Sequence, residues 1–184
     1  MKRLDRMLQR WRIAKARAYI PKGGTVLDIG CGDGALFRQL QTHIAAGVGI
    51  DPLLHDHEEV DGYRLIRGSF PKDVPDTGRF DAITMLAVLE HVPPQQQSEL
   101  AEACTKFLKP GGHLVITVPS PIVDHILDVL IFIRLIDGQA VEQHYGFDPG
   151  QTPRIFSVGP MVLVESRKFQ FGLNNVYVFR KAKA

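Results

Sequence analysis

Nine residues constrain this chain more than any others: Val26-Leu27-Asp28-Ile29-Gly30-Cys31-Gly32-Asp33-Gly34. An apolar run carrying one acid meets three glycines at alternate positions, and a helical pattern begins at Ala35. That order predicts a buried parallel strand, a tight turn and a helix N-terminus. Glycine at every second position admits φ > 0 and lets the main chain pass close to a ligand where a Cβ would clash. The helix beyond points unsatisfied N–H groups and its positive dipole end at the same spot. A nucleotide-like ligand belongs at such a turn.

Spacing narrows the ligand. The dinucleotide fingerprint is G-x-G-x-x-G, with a pyrophosphate on the helix start. Here Gly30, Gly32 and Gly34 are one residue tighter, and Asp28 precedes them by two. A carboxylate at the strand end repels a pyrophosphate but attracts a cation. The stretch resembles the first motif of the class I S-adenosylmethionine-dependent methyltransferases, a hydrophobic run followed by an acid and x-G-x-G-x-G. Their cofactor carries a sulfonium and an α-ammonium and no phosphate. The resemblance implies that Asp28, Gly30, Gly32 and Gly34 hold the methionine portion, with Cys31 as a small residue in the same loop. The plainer reading is a glycine-rich turn with no ligand.

The chain has 184 residues, 45% hydrophobic and 23% charged, which fits one globular domain over 1–184. No leader or stop-transfer pattern is visible, so the expected location is cytoplasmic. Cys31 and Cys104 have neither CxxC nor Cys/His ligand spacing, so buried thiols are expected rather than a disulfide or zinc site. The net charge of +2 hides an asymmetry: residues 1–22 hold eight Lys/Arg against Asp5 alone. Leu4, Met7, Leu8, Trp11, Ala14 and Ala18 recur at helical intervals, giving an amphipathic basic helix that Pro21 ends. Its plain role is to lay Leu8 and Trp11 on the domain with the basic face solvated. The sharper roles are a lid over the cofactor, a docking face for an acidic substrate, or contact with an anionic membrane surface.

A helix over Ala35–Thr42 and a strand over Ala45–Ile50 lead to Asp51, seventeen residues beyond Gly34. The doubly wound fold places a carboxylate about there, accepting two charge-assisted bonds from ribose hydroxyls. In the methyltransferase resemblance Asp51 is the ribose acid and Leu53 lies near the adenine; the alternative for Asp51 is a helix N-cap before Pro52. His55-Asp56-His57-Glu58-Glu59 reads as a solvated surface helix rather than a metal site, because adjacent positions cannot converge. Tyr63–Arg67 is a third strand. Ser69 and Phe70 follow it where many family members carry an acid for the adenine amino group, so main chain or Ser69 Oγ must substitute.

The strand Phe80–Ala87 and the run Val88-Leu89-Glu90-His91-Val92 resemble the family's next motif, with Leu86 and Ala87 flanking the cofactor. His91 is a candidate proton acceptor; the alternative is that Glu90-His91 only shapes the loop. The N-P-P-aromatic version is absent, which argues against DNA amino groups as acceptors. A one-sided helix over Gln95–Leu108, the turn Lys109-Pro110-Gly111-Gly112 and the strand His113–Val118 complete the third hallmark. The three motifs span residues 25–118 and imply a doubly wound, mostly parallel seven-stranded sheet whose last strand is antiparallel.

Residues 119–184 choose the substrate. Within Pro119–Asp137 the stretch Val129–Ile133 is apolar all round, and a helix there packs in the core, pairs with a second subunit as a homodimer through residues 121–136, or walls an apolar pocket; charges interrupt any membrane span. The loop Val141–Gly150 resembles the His-containing loop of this group, making His144 and Tyr145 further acceptor-site candidates beside a plain surface loop. Ser157 caps a helix to about Ser166, and Lys168–Leu173 with Asn175–Arg180 form the closing strand pair. The expected activity is methyl transfer from S-adenosylmethionine to a small-molecule or lipid-like acceptor; the short basic segment without interleaved aromatics speaks against RNA. Two rivals stay open: a non-catalytic cofactor-binding domain with a partner surface, and an NAD-dependent oxidoreductase.

Overall fold

The computed structural model describes residues 3–75, 78–120 and 147–183. Its elements in order are α1 (Arg3–Arg17), β1 (Thr25–Ile29), α2 (Ala35–Leu40), β2 (Ala46–Asp51), β3 (Glu58–Val60), β4 (Tyr63–Arg67) and β5 (Phe80–Leu86). Then come α3 (Pro94–Phe107), β6 (Leu108–Pro119), a short helix Thr152–Phe156, β7 (Met161–Phe169) and β8 (Asn174–Lys181). One sheet runs β3-β4-β2-β1-β5-β6-β8-β7. Strands β4, β2, β1, β5 and β6 are parallel, and β8 enters antiparallel beside β6. This is the expected mostly parallel α/β sheet with its last strand reversed.

Side chains alternate across a strand with period two, and that alternation sorts the core into two layers. Leu27, Ile29, Ile83, Met85, Leu114 and Ile116 pack with Leu100, Cys104 and Phe107 of α3 on one face. Val26, Leu65 and Ala82 pack with Ile13 of α1 and with Leu36, Phe37 and Leu40 of α2 on the other. Farther along that second face Ala16 meets Val115, Val176 and Val178. By the same alternation Asp28, two residues on from Val26, points toward α1. Asp51, one strand over and beyond Ile50, shares that face.

Four local expectations are corrected. The sheet has eight strands, because Glu58–Val60 pairs antiparallel with β4 instead of forming part of a surface helix. In that turn His57 Nδ1 accepts the Arg67 N–H at 3.2 Å. The helix expected from Ser157 to Ser166 is replaced by β7, which starts at Met161. Pro160 explains the change, since it disfavours helical geometry at the residue before it, and Gly159 is left-handed at φ 54°. The turn at 109–112 is absorbed into β6 as a bulge: Phe80 pairs with Leu108, and Ala82 with His113. There Asp81 accepts from the Thr25 main-chain N–H and from Lys109 Nζ, 2.7 Å away.

The fourth correction concerns α1. Ile13 and Ala16 are the buried residues of its described length, whereas Met7, Trp11 and Ala14 face outward. The helix is turned over relative to the expected apolar stripe. Small Ala16 lets its axis approach the valines of β6 and β8, which a tryptophan at that position would prevent. Gln170 fixes the seating, donating from Nε2 to the Leu8 carbonyl at 2.9 Å. The segment 121–136 and the pair His144 and Tyr145 lie outside the described residues.

Candidate functional site

The carboxyl ends of β1, β2, β4 and β5 converge on one edge of the sheet, where open α/β sheets bind ligands. At the end of β1 the three glycines take φ of 74°, 51° and 77° at Gly30, Gly32 and Gly34, a left-handed run. The Gly30 N–H donates to the Ile50 carbonyl at 2.8 Å, which ties the turn to β2. A Cβ on Gly30 would lie 2.3 Å from Val88 Cγ2, so the segment after β5 packs directly on this turn. A Cβ on Gly32 would meet no atom within 4 Å. One glycine is there for packing, and the other faces open space.

Asp51 ends β2 and is 9% exposed. Its Oδ2 accepts the Gly32 N–H at 2.9 Å and its Oδ1 accepts the Leu53 N–H at 2.8 Å. Each oxygen keeps a further lone pair for a ligand hydroxyl. Asp28 is 4% exposed, and its Oδ1 accepts from Thr84 Oγ1 at 2.6 Å, as their side-by-side register dictates. Burial raises the Asp28 pKa to about 7; the Thr84 bond opposes the rise and the Asp51 charge adds to it. An acid held neutral this way gains most from a nearby cation. Burial also raises the Cys31 thiol, with Asp28 and Asp51 adding to it, so the thiolate needed of a nucleophile is suppressed.

A cavity of about 160 Å³ lies against Asp28 and the glycine turn, with Asp51 outside its lining. Asp28, Gly30, Cys31, Ala35 and Leu36 line it from the glycine turn and α2; Leu86 and Ala87 line it from the end of β5. Ala87 is left-handed at φ 59°, its N–H directed at the Thr117 carbonyl and hydroxyl. Gln9, Arg12 and Ile13 of α1 close the cavity from above. Burial lowers the Arg12 pKa, while the charges of Glu90 and then Asp5 raise it; a guanidinium stays protonated under either influence. The helix therefore covers the site, and Arg12 shares the cavity lining with Asp28. Beside it lies a wider cleft of about 730 Å³, between Arg6 and Arg10 of α1 and Asp33, Arg38 and Gln39 of the α2 segment.

The other expected residues are less central. Leu53 is 87% exposed at the site's edge. Phe70 turns into the core, its ring 5.2 Å from that of Phe107. Ser69 is exposed and its N–H donates to Asp73 Oδ2 at 2.8 Å. After β5 the pair splits: Glu90 is 3% exposed and His91 is on the surface. Arg12 in the cavity lining and Asp73 beside Ser69 are the residues that sequence reasoning did not single out. Asp73 sits in a turn, and Arg12 is one of eight cations, picked out only once Ile13 and Ala16 set the phase of α1.

Comparison with known proteins follows the same lines. A ubiquinone biosynthesis O-methyltransferase of Pseudomonas paraeruginosa is 36% identical over 106 residues, 52% of this chain and 44% of that protein. One from Alkalilimnicola ehrlichii is 38% identical over 104 residues, 51% of this chain and 41% of the relative. The chain thus spans less than half the length of these relatives. Among solved structures, a Burkholderia thailandensis 1,6-didemethyltoxoflavin-N1-methyltransferase superposes with a TM-score of 0.65 at 18% identity, covering 97% of this chain and 82% of that one. The N-methyltransferase NodS of Bradyrhizobium japonicum gives 0.59 at 17%, covering 97% and 96%. These likenesses speak for the fold. The model of a methyltransferase domain matches residues 2–157, a span that takes in α1, the glycine turn and every strand of the parallel core. With the reversed β8 and the acid-glycine turn at its sheet edge, the chain belongs to the methyltransferase domain family.

Proposed function

We propose that the chain binds S-adenosylmethionine and transfers its methyl group to a small-molecule acceptor. The observation that carries this reading is one cavity at the left-handed glycine turn whose lining holds both buried Asp28 and Arg12 of α1. Such a pair suits a zwitterion, the carboxyl for an ammonium and the guanidinium for a carboxylate. A pyrophosphate would set its charge against Asp28, which disfavours the nicotinamide reading. Gly32 gives the backbone room to approach the methionine chain, Asp51 accepts the ribose hydroxyls, and the edge formed by Leu53, Ser69 and Asp73 receives the adenine.

When bound, the cofactor supplies a methyl group on a sulfonium that already carries the driving force. The chain's own work is then positioning and the exclusion of water. Leu86 and Ala87 flank the cofactor, α1 closes over it, and Thr84 orients the Asp28 carboxyl. Of the acceptor-site candidates His91, His144 and Tyr145, His91 is the one among the described residues, at the surface on the turn after β5; proton acceptance there would add about 10²–10⁴-fold. The names of the curated relatives support a small-molecule acceptor, and a lipid-like one falls within the same class.

Asp51→Ala tests the assignment. Its affinity for S-adenosylhomocysteine, read by isothermal titration, is expected to fall by about 1.5–3 kcal/mol, the scale of hydrogen bonds to a charge. A melting curve without ligand reports separately on the loss of the Gly32 and Leu53 bonds. Unchanged affinity would refute the ribose role. Release of S-adenosylhomocysteine that depends on an added metabolite then identifies the acceptor class.

A further inference from the structure

The inverted seating of α1 leaves an apolar strip on its outside. Helical spacing puts Met7, Trp11 and Ala14 in one row, with Met7 53% and Trp11 39% exposed. Arg6, Arg10 and Arg17 run along one flank of the row, all exposed, and Lys15 lies on the other. A second segment extends the strip from the far end of the sequence. In the turn between β7 and β8, Phe171 is 94% exposed and meets the Trp11 ring edge-on, centroids 5.8 Å apart.

That turn is built to hold Phe171 out. Gln170, Phe171 and Gly172 are left-handed in succession, at φ 51°, 57° and 86°. Gln170 itself is 2% exposed, bonded to the Leu8 carbonyl and accepting from Asn174 Nδ2 at 2.6 Å. Its side chain anchors the turn to α1 while its neighbour projects. Two consecutive non-glycine residues in this region are costly, and no core contact of Phe171 offsets them.

We propose that Met7, Trp11 and Phe171, with the arginines beside them, form a docking surface for an anionic lipid bilayer. The chemistry matches on two counts. Tryptophan and phenylalanine partition to the headgroup boundary, and a helix with such a face lies in the interface plane. Arg6, Arg10 and Arg17 then meet the negative surface potential without losing their hydration. Among the described residues no helix is long and apolar enough to cross a membrane, so the contact is peripheral. Docking would bring the wide cleft beside the cofactor cavity close to the lipid plane, since Arg6 and Arg10 belong to both. The docking itself does not depend on the cofactor reading.

Trp11 is the single tryptophan of the chain and so reports on its own surroundings. With the unaltered chain and no cofactor, vesicles containing about 30% phosphatidylglycerol in phosphatidylcholine should shift its emission to the blue and protect it from acrylamide. Raising salt from about 0.05 to 0.5 M should reverse both changes by screening. Phe171→Asn combined with Met7→Ser should lower the vesicle partition coefficient about tenfold, and Arg6→Glu, Arg10→Glu and Arg17→Glu together about 100-fold. Asparagine tolerates the left-handed turn, and the wild-type salt titration keeps the test decisive if a variant melts early. Equal binding to pure phosphatidylcholine, no shift with either vesicle, or burial of Trp11 that follows protein concentration without lipid would each overturn the proposal. The last outcome would assign the face to a second copy of the chain.

Discussion

Asp28→Asn is expected to stabilise the cofactor-free protein while making it a poor binder. In the folded chain the Asp28 pKa is raised from 3.8 to about 7, mainly by burial. The folded state therefore holds a proton that the unfolded state has released, and stability falls as pH rises through that window. The loss is complete above the folded value and absent below the unfolded one. Asparagine keeps an oxygen to accept from Thr84 and never ionises. The gain should thus be about 2–4 kcal/mol at pH 8, a melting point higher by roughly 4–12 °C, and near zero at pH 4. Affinity for S-adenosylhomocysteine at pH 8 should drop by about 2–3 kcal/mol, because the ammonium loses a buried, charged acceptor. Titrations in buffers of different ionisation enthalpy should show wild-type binding releasing a proton near pH 6.5 and the variant releasing none. A variant less stable at every pH would mean that Asp28 belongs to the framework. One that binds as tightly as wild type would remove it from the ammonium.

The acid-glycine turn stands out in the sequence for a local reason. A carboxyl in an otherwise apolar strand breaks the local rule for a buried segment, and such breaks concentrate where a ligand compensates. Asp51 was legible for a related reason, an acid at a strand end at the right distance. The glycine turn at 109–112 was also visible, although it bulges within a strand instead of separating two. Strand β3 left no signal because Glu58-Glu59-Val60 lies at a sheet edge, where no buried face imposes alternation. The misread helix after Ser157 shows a weaker cue, Gly159-Pro160, passed over in favour of a cap at Ser157. Helix α1 is the instructive case. Its amphipathic pattern was read correctly as a pattern and assigned to the wrong side, because periodicity identifies a face and says nothing of what covers it. The arginine that lines the cavity and the tryptophan that lies outside it both follow from that one rotation.

Gly30→Ala and Gly32→Ala, two residues apart in the same turn, should fail in opposite ways. At Gly30 the new methyl would stand 2.3 Å from Val88 Cγ2 with φ at 74°. Valine is β-branched and stiff at χ1, so the turn or the segment after β5 must move. Left-handed strain of about 1–2 kcal/mol and overpacking of about 1–3 kcal/mol together lower the melting point by roughly 5–20 °C, with cofactor affinity falling as a consequence. At Gly32 nothing lies within 4 Å of the methyl and φ is 51°, so the strain acts without the clash. The protein should fold with a melting point only a few degrees lower. Its affinity for S-adenosylhomocysteine should still fall at least tenfold, because the methyl occupies the side from which the backbone meets the ligand. Adding Val88→Ala separates the mechanisms. It should recover part of the stability lost in Gly30→Ala, a coupling of about 1–2 kcal/mol, and leave the binding defect of Gly32→Ala untouched. If Gly32→Ala binds like wild type, the open space at that residue is not where the cofactor lies, and the methionine chain must be placed elsewhere along the turn.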